Sequence, residues 1–342
     1  MAKAFEIPGF DPNGPLDECI SLIIRARTAE IESFKQGLLA GTVEAVHDMR
    51  VSCRRLETVL AIFQDSLKKG AYKKFRKKLR LLIRRLGKTR QFDVVMETVS
   101  PYLATTNARQ VMVANLFMAR FRAKRFMALQ KTRGAFRKFG TDPLYKQCIS
   151  PACDVDCPSP IKNRQRGNNA VFPLIMREFI SKLLDDFLSG AERALKNDDD
   201  PAALHAMRIR GKPLRYAMEL AQPFLKIGFT AHYLEIKNMI EELGTIHDND
   251  VACCALRSFD KELGFFNSMT LTPENRLPRT VLLRARKSLE IDRKNRCEKV
   301  RIIQQNWHNS HFSETVGASL ALARWRRKAA HKKTLTKIIP TE

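Results

Sequence analysis

The chain has 342 residues, 44% of them apolar, and carries 61 Lys and Arg against 36 Asp and Glu, a formal net charge of +25. Length and apolar content suffice for a sizeable core and exclude disorder throughout. No apolar run reaches the roughly 18 residues of a membrane span, and the N-terminal MAKAFEIPGFDPNGP lacks a basic-then-apolar leader, so a soluble, cytoplasmic protein is expected.

Gly and Pro are sparse and concentrate at residues 8–15, 140–173 and 264–278. Between them the apolar spacing is helical, predicting helices over 16–40, 43–66, 71–98 and 108–138. Residues 140–170, with SPACDVDCPSP and NRQRGNN, have the composition of a disordered linker. Helices follow over 172–197, 202–225, 229–258 and 279–309, with a further one at 314–330 and a basic tail over 331–342. No strand pattern of comparable quality is present, so the fold class is all-α.

Eight cysteines are scattered without a disulfide framework. Cys148, Cys153 and Cys157 lie close together but lack both C-x2-C spacing and a nearby histidine, so they read as loop thiols rather than a zinc site.

The positive charge is concentrated. Residues 1–150 hold 29 basic and 13 acidic side chains, and Lys73 to Arg90 contains ten Lys and Arg with no acid. Such stretches attract a polyanion and repel one another in its absence.

The two halves repeat. AVHDMRVSCRRLETVLAIF at 45–63 aligns without a gap on ALHAMRIRGKPLRYAMELA at 203–221, and LGKTRQFDVV at 86–95 on LGTIHDNDVA at 243–252. The separation of the two motifs is nearly the same in both, as a duplicated multi-helix unit requires. Val46, Met49, Cys53, Leu56, Leu60 and Phe63 form an apolar seam, matched by Leu204, Met207, Gly211, Leu214, Met218 and Ala221. His47, Arg50 and Arg54 fall on a stripe about 120° from that seam, and His205, Arg208 and Lys212 occupy the same stripe in the second half. Arg55 lies on the other flank, and Arg215 extends the second basic set by a turn. Recurrence in register predicts two surfaces facing each other across a pseudo-twofold axis, where arginine forks and lysine charges grip phosphate oxygens.

The next helix adds Arg76, Arg80 and Arg84 at i, i+4 and i+8, with Lys237 in the place of Arg80 in the second copy. Leu86-Gly87 and Leu243-Gly244 read as helix breaks, followed by a carboxylate, Asp93 or Asp250, that caps or pairs locally.

These residues resemble the conserved histidine α-helical domain, the CHAD family, whose pattern is H-x2-R-V-x3-R-R-L followed by L-G-x2-R-D-x-D-V. The first copy supplies His47, Arg50-Val51, Arg54-Arg55-Leu56, Leu86-Gly87 and Arg90-Gln91-Phe92-Asp93-Val94. The second supplies His205, Arg208-Ile209, Lys212, Leu214-Arg215, Leu243-Gly244 and His247-Asp248-Asn249-Asp250-Val251. The resemblance covers residues 16–330. It implies two antiparallel four-helix bundles, 16–139 and 171–330, related by pseudo-twofold symmetry around a basic groove or pore that binds inorganic polyphosphate, and an association with polyphosphate granules. The residues it marks are His47, Arg50, Arg54, Arg55, Arg76, Arg80, Arg84, His205, Arg208, Lys212, Arg215 and Lys237, with Arg25 and Arg27 on the first helix as weaker candidates. Two departures stand out. Pro213 takes the place of Arg55 and should kink or restart its helix, with Gly211 loosening it further, and Gln91 replaces the first Asp of R-D-x-D. Both make the first half the expected main contact.

Binding without catalysis is the expected function, with no cofactor and no metal, because no set of clustered acids is present to hold the Mg2+ of phosphoryl transfer. An enzyme is the weaker alternative: Glu30-Ile31-Glu32-Ser33-Phe34-Lys35 is wrongly spaced for an E-x-E-x-K strand signature. A sequence-nonspecific nucleic-acid binder is the other, permitted by charge but poor in the aromatics that stack on bases.

Overall fold

Spacings of three and four among apolar residues bury one stripe per helix, and that is what assembles this chain. The computed structural model describes residues 4–140, 171–195, 200–225, 227–269 and 272–321, and every regular element among them is helical. Ten α-helices are described: α1 (Leu16–Ser33), α2 (Lys35–Ala40), α3 (Val43–Ile62), α4 (Lys69–Val99), α5 (Ala108–Gly140), α6 (Val171–Leu195), α7 (Pro201–Ala221), α8 (Ile227–Ser268), α9 (Thr280–Asn309) and α10 (Phe312–Ala321). The chain after Gly140 to residue 170, with Cys148, Cys153 and Cys157, and the tail from 322 lie outside the described residues. The described cysteines, Cys19, Cys53, Cys253, Cys254 and Cys297, are free thiols.

The apolar seams fall where the spacing predicts. Val46, Met49, Cys53, Leu56 and Leu60 of α3 are fully buried, as are Met207, Leu214 and Met218 of α7. Both helices start on a side-chain cap. Thr42 accepts from the Ala45 amide at 3.3 Å, and Asp200 accepts from Ala202 at 2.8 Å just ahead of Pro201 at the first helical position.

Five sequence expectations are corrected. The predicted helix over 16–40 divides at Phe34 into α1 and α2. Leu86-Gly87 and Leu243-Gly244 break nothing: α4 and α8 run straight through them, and α8 continues to Ser268, past the predicted end at 258. Pro213 lies inside an unbroken α7. Gly211 does not loosen that helix. A Cβ there would meet Phe187 at 2.8 Å and Ile240 at 2.9 Å, so the missing side chain lets α6 and α8 close on α7.

Within each half the packing follows the same order, α1 on α3, α3 on α4 and α4 on α5, then α6 on α7, α7 on α8 and α8 on α9. Each of these helices also touches its counterpart: α1 meets α6, α3 meets α7, α4 meets α8 and α5 meets α9. The cores do not divide along the duplication. One gathers Phe10, Phe63, Phe172 and Phe224 from both halves, with ring centroids 4.8–5.8 Å apart along the chain of contacts. The other joins the far ends of α4 and α5 to those of α8 and α9 through Val95, Phe117, Phe121, Leu256, Phe259 and Leu289.

A buried ionic clip ties the halves. Arg55 of α3 donates to Glu30 of α1 at 2.6 Å and makes a two-pronged pair with Glu219 of α7, Nε at 2.9 Å and Nη2 at 2.7 Å. Glu30, with no exposed surface, also accepts from Ser52 and Arg27, and Arg27 reaches the Phe5 carbonyl. Deleting one member of such a set leaves the others charged and dry. Arg55→Ala should therefore lower unfolding stability by about 3–5 kcal/mol in urea titration. A loss below about 1 kcal/mol, the value of an exposed pair, would contradict the clip.

Candidate functional site

The seam between α3 and α7 collects cations from both halves. Arg50 and Arg54 on α3 face Arg208 and Lys212 on α7 closely enough that each set bears on the ionisation of the other. Arg90 of α4 joins from one side and His247 with Asp248 of α8 from the other. His47 and His205 stand one turn before Arg50 and Arg208.

The helical glycines explain how guanidinium groups fit there. A Cβ on Gly87 would lie 3.4 Å from Arg50 Nε, and one on Gly244 would lie 3.7 Å from Arg208 Nε. Each arginine of the H-x2-R stripe thus lies flat over a bare patch of the neighbouring helix. Glycine in a helix interior costs about 1 kcal/mol relative to alanine, and here the bare backbone gives an arginine room in both copies.

Hydrogen-bonding capacity is left over. The Nε groups of Arg50, Arg54, Arg90 and Arg208 and Nδ1 of His205 are buried with no partner among the described residues. Buried polar groups are satisfied in the great majority of cases, and a run of unpaired donors from both halves is a demand for acceptors. Carboxylates meet part of it. Arg54 pairs with Glu57 at 2.8 Å and Arg90 makes a two-pronged pair with Glu97 at 2.8 and 2.9 Å, whereas Arg208 reaches Asp248 only at 4.0 Å.

Ionisation responds accordingly. Burial, reinforced by Arg54 and Arg208, holds the Arg50 guanidinium below its usual range. Burial, together with Arg208, Arg50 and Arg54, pushes the Lys212 ammonium down to about 6. His247 is pushed down to about 3 by burial, Arg208 and His205, whose ring stacks on it at 4.3 Å. His47 and His205 are lowered mainly by burial, and Asp248 is raised by burial against the pull of Arg208 and Lys212. At neutral pH the seam therefore holds arginines, a largely neutral lysine and neutral imidazoles.

The other marked residues lie elsewhere. Arg55 and Arg27 belong to the buried clip, their guanidiniums held by Glu30 and Glu219. Arg215 is buried beside Glu241 and Tyr233. Arg80 is exposed and shares Glu57 with Arg54, which links the outer stripe of α4 to the seam. Arg76 packs over Tyr72, and Arg84 and Arg25 are exposed. Lys237 is half-buried on α8. Asp93 and Asp250 pair with Arg125 of α5 and Arg293 of α9, fixing the long hairpins in both copies.

Arg90 and His247 were absent from the marked set, yet they occupy one position of the repeat, five residues into LGKTR and LGTIH. That register is the signal that finds them. A cavity of about 510 Å³ lies beside the stacked histidines, walled by Phe92, Val95, Phe121 and Val251. Arg50, Arg54 and Arg208 do not line it, so the concavity and the cation cluster are neighbours rather than one site.

The fold and seam define an all-α protein whose duplicated helices enclose partner-seeking cations. A family model for the CHAD domain matches residues 22–257, and the chain belongs to that family. Its fold is similar to the crystal structure of the CHAD domain from the plant Ricinus communis, at 20% identity and a TM-score of 0.58 over 95% of this chain and 99% of that one. It is also similar to PptA from Streptomyces chartreusis, at 18% identity and 0.57 over 86% and 99%. A search of curated proteins finds no match. No described helix is long and apolar enough to cross a membrane.

A buried ammonium whose pKa falls in the fold destabilises the folded chain fully below the folded pKa, and the penalty fades as pH rises toward the unfolded value. Lys212→Met should therefore raise stability, most at pH 6 and progressively less toward pH 9, in denaturant midpoints taken across that range. A gain independent of pH would show that the lysine is not electrostatically strained.

Proposed function

We propose that the chain binds inorganic polyphosphate without transforming it, along a groove between the two repeats. In this reading the repeats are two four-helix bundles related by pseudo-twofold symmetry, and Arg50, Arg54, Arg90, Arg208 and Lys212 contact the phosphates. The observation that carries it is the set of buried, unpartnered Nε donors contributed by both halves. A flexible chain of tetrahedral phosphates offers acceptors at short, regular intervals, and guanidinium forks meet them two bonds at a time. The acids nearest the seam, Glu57, Glu97 and Asp248, each face an arginine, an arrangement suited to holding an anion. The exposed cations Arg80 and Arg84, with Arg76 beside them, supply a field that draws the polymer in. Family membership agrees with this substrate class, and a cytoplasmic protein of this kind would collect on polyphosphate granules.

Nucleic acid is the second reading, favoured only by net charge. Competition separates the two: at equal phosphate and physiological salt, unlabelled polyphosphate should displace labelled polyphosphate far better than single-stranded DNA or RNA does. Equal displacement removes the specificity claim, and steady phosphate release on incubation with polyphosphate and Mg2+ would favour an enzyme.

Arg50→Ala with Arg208→Ala should weaken binding about 100-fold or more and lower the slope of log K against log salt by about 2, since each removes a charged contact worth about 1.5–3 kcal/mol. Unchanged affinity would move the site off the seam.

Binding should also strengthen as pH falls. The complex holds a proton on Lys212 that the free protein lacks above pH 6, so log K should rise by up to about one per pH unit between pH 8 and 6 and level off below. Burial lowers both His47 and His205, so they charge less readily against the anion than ordinary histidines do. A flat profile from pH 8 to 6 would remove Lys212 from the ionic contact.

A further inference from the structure

The cavity of about 510 Å³ beside the seam has no part in gripping a phosphate chain, yet it is built like a site. Helices α4, α5, α7 and α8 all contribute to its wall, so it lies between the two halves of the chain. Its volume falls in the usual range for small-molecule pockets. Phe92 and Phe121 supply two aromatic faces with ring centroids 6.1 Å apart, and Val95, Val251 and Ala255 add apolar surface.

The duplication shows what is particular to this place. The first copy sets the Arg90 guanidinium near His47. The second sets the His247 ring on His205, with centroids 4.3 Å apart and planes 26° from parallel. Both imidazoles line the cavity, and together they offer a flat aromatic surface where the other copy has a point charge. Polar capacity is left over at the edges. Nδ1 of His205 is buried with no partner among the described residues, and Gln91 uses its Oε1 on Lys88 at 3.2 Å while its amide nitrogen makes no bond among them. Of the charged lining residues, Arg120 is paired with Glu262 and Asp250 with Arg293. Lys124 has no acid partner among the described residues and stands at the rim, its ammonium 5.2 Å from the Phe121 centroid.

Flat apolar walls with hydrogen-bonding groups at their edges suit a heteroaromatic ring; an acyl chain would leave those groups unmet. The charge around the cavity calls for an anion on the same molecule. Arg208, its Nε unpartnered, lies three residues beyond His205 on α7, an advance of about 4.5 Å along the helix. A ring held against the histidines thus has a guanidinium of the seam within the length of a sugar and its first phosphates. We propose that the cavity is the base pocket of a nucleoside triphosphate site, with the base against the stacked imidazoles and the phosphates running past His205 onto Arg208 and Arg50. This rests on the phosphate-binding reading of the seam. One cavity takes one base, so the site is for a nucleotide and not for a nucleic-acid strand. Nucleotide and polyphosphate claim the same arginines, and the polymer's hold on the seam falls as the nucleotide concentration rises.

The test titrates the whole chain by calorimetry at pH 7.5 in EDTA with ATP, inorganic tripolyphosphate and long-chain polyphosphate. ATP should bind at least about tenfold tighter than tripolyphosphate, which has the same three phosphates and no base, since stacking one base on aromatic groups is worth that factor or more. Cys254 is an exposed free thiol on the cavity wall, and Cys254→Trp fills the space. It should bring ATP down to the tripolyphosphate level and leave the two inorganic ligands unchanged. Phe92→Ala, at a half-buried position, should weaken ATP alone and decides the matter if the tryptophan variant fails to fold. Arg208→Ala should weaken all three ligands. ATP no tighter than tripolyphosphate, in protein that binds long-chain polyphosphate, overturns the base pocket and leaves the seam standing. ATP affinity indifferent to Cys254→Trp and Phe92→Ala puts the base elsewhere and overturns it too, and indifference to Arg208→Ala overturns the placement of the phosphates. Tight ATP binding that Cys254→Trp abolishes, in protein that does not bind long-chain polyphosphate, supports the nucleotide site and overturns the polyphosphate reading instead.

Discussion

Like charges do not gather in a fold unless something else holds them there, and the seam between α3 and α7 is a gathering of like charges. Arg50, Arg54, Arg208 and Lys212 press on one another with little carboxylate between them. What opposes their repulsion is the clip one turn away, where Arg55 joins Glu30 of α1 to Glu219 of α7. The apolar seams bring the helices together, and the clip sets them at the approach that leaves the neighbouring cations face to face. Adjacent arginines thus have opposite fates. Arg54 lies on the seam at the edge of solvent, and Arg55 is buried with its charge neutralised.

The chemistry of the seam follows from that strain. The Nε donors of four arginines remain unpaired, a lysine is driven toward its neutral form, and imidazoles stay neutral. Such a site is electrostatically under-satisfied in isolation, and under the proposed function an incoming polyanion would relieve repulsion as well as add contacts. Under that proposal stability and binding pull in opposite directions at Lys212, a common condition of functional sites.

Much of this was legible in the sequence, for identifiable reasons. The seam of α3 could be read because burial of a helix face imposes a period of 3.6, and the stripe of His47, Arg50 and Arg54 because a second copy held it in register. What misled was equally physical. Gly87 and Gly244 read as helix ends, since glycine disfavours helix; only the placement of a guanidinium over each one reveals why they sit in mid-helix. Arg55 reads as a binding residue by its position in the motif, because its partners Glu30 and Glu219 are 25 and 164 residues away and no local pattern announces them. Arg90 and His247 required only that the duplication be followed one motif further.

The claim on which the rest depends is that the polymer lies between the repeats. The most direct measurement is a crystal structure of the protein with polyphosphate bound. Phosphates within hydrogen-bonding distance of both Arg50 and Arg208 are the predicted result; a chain ordered only along Arg76, Arg80 and Arg84, with the seam unchanged, would contradict it.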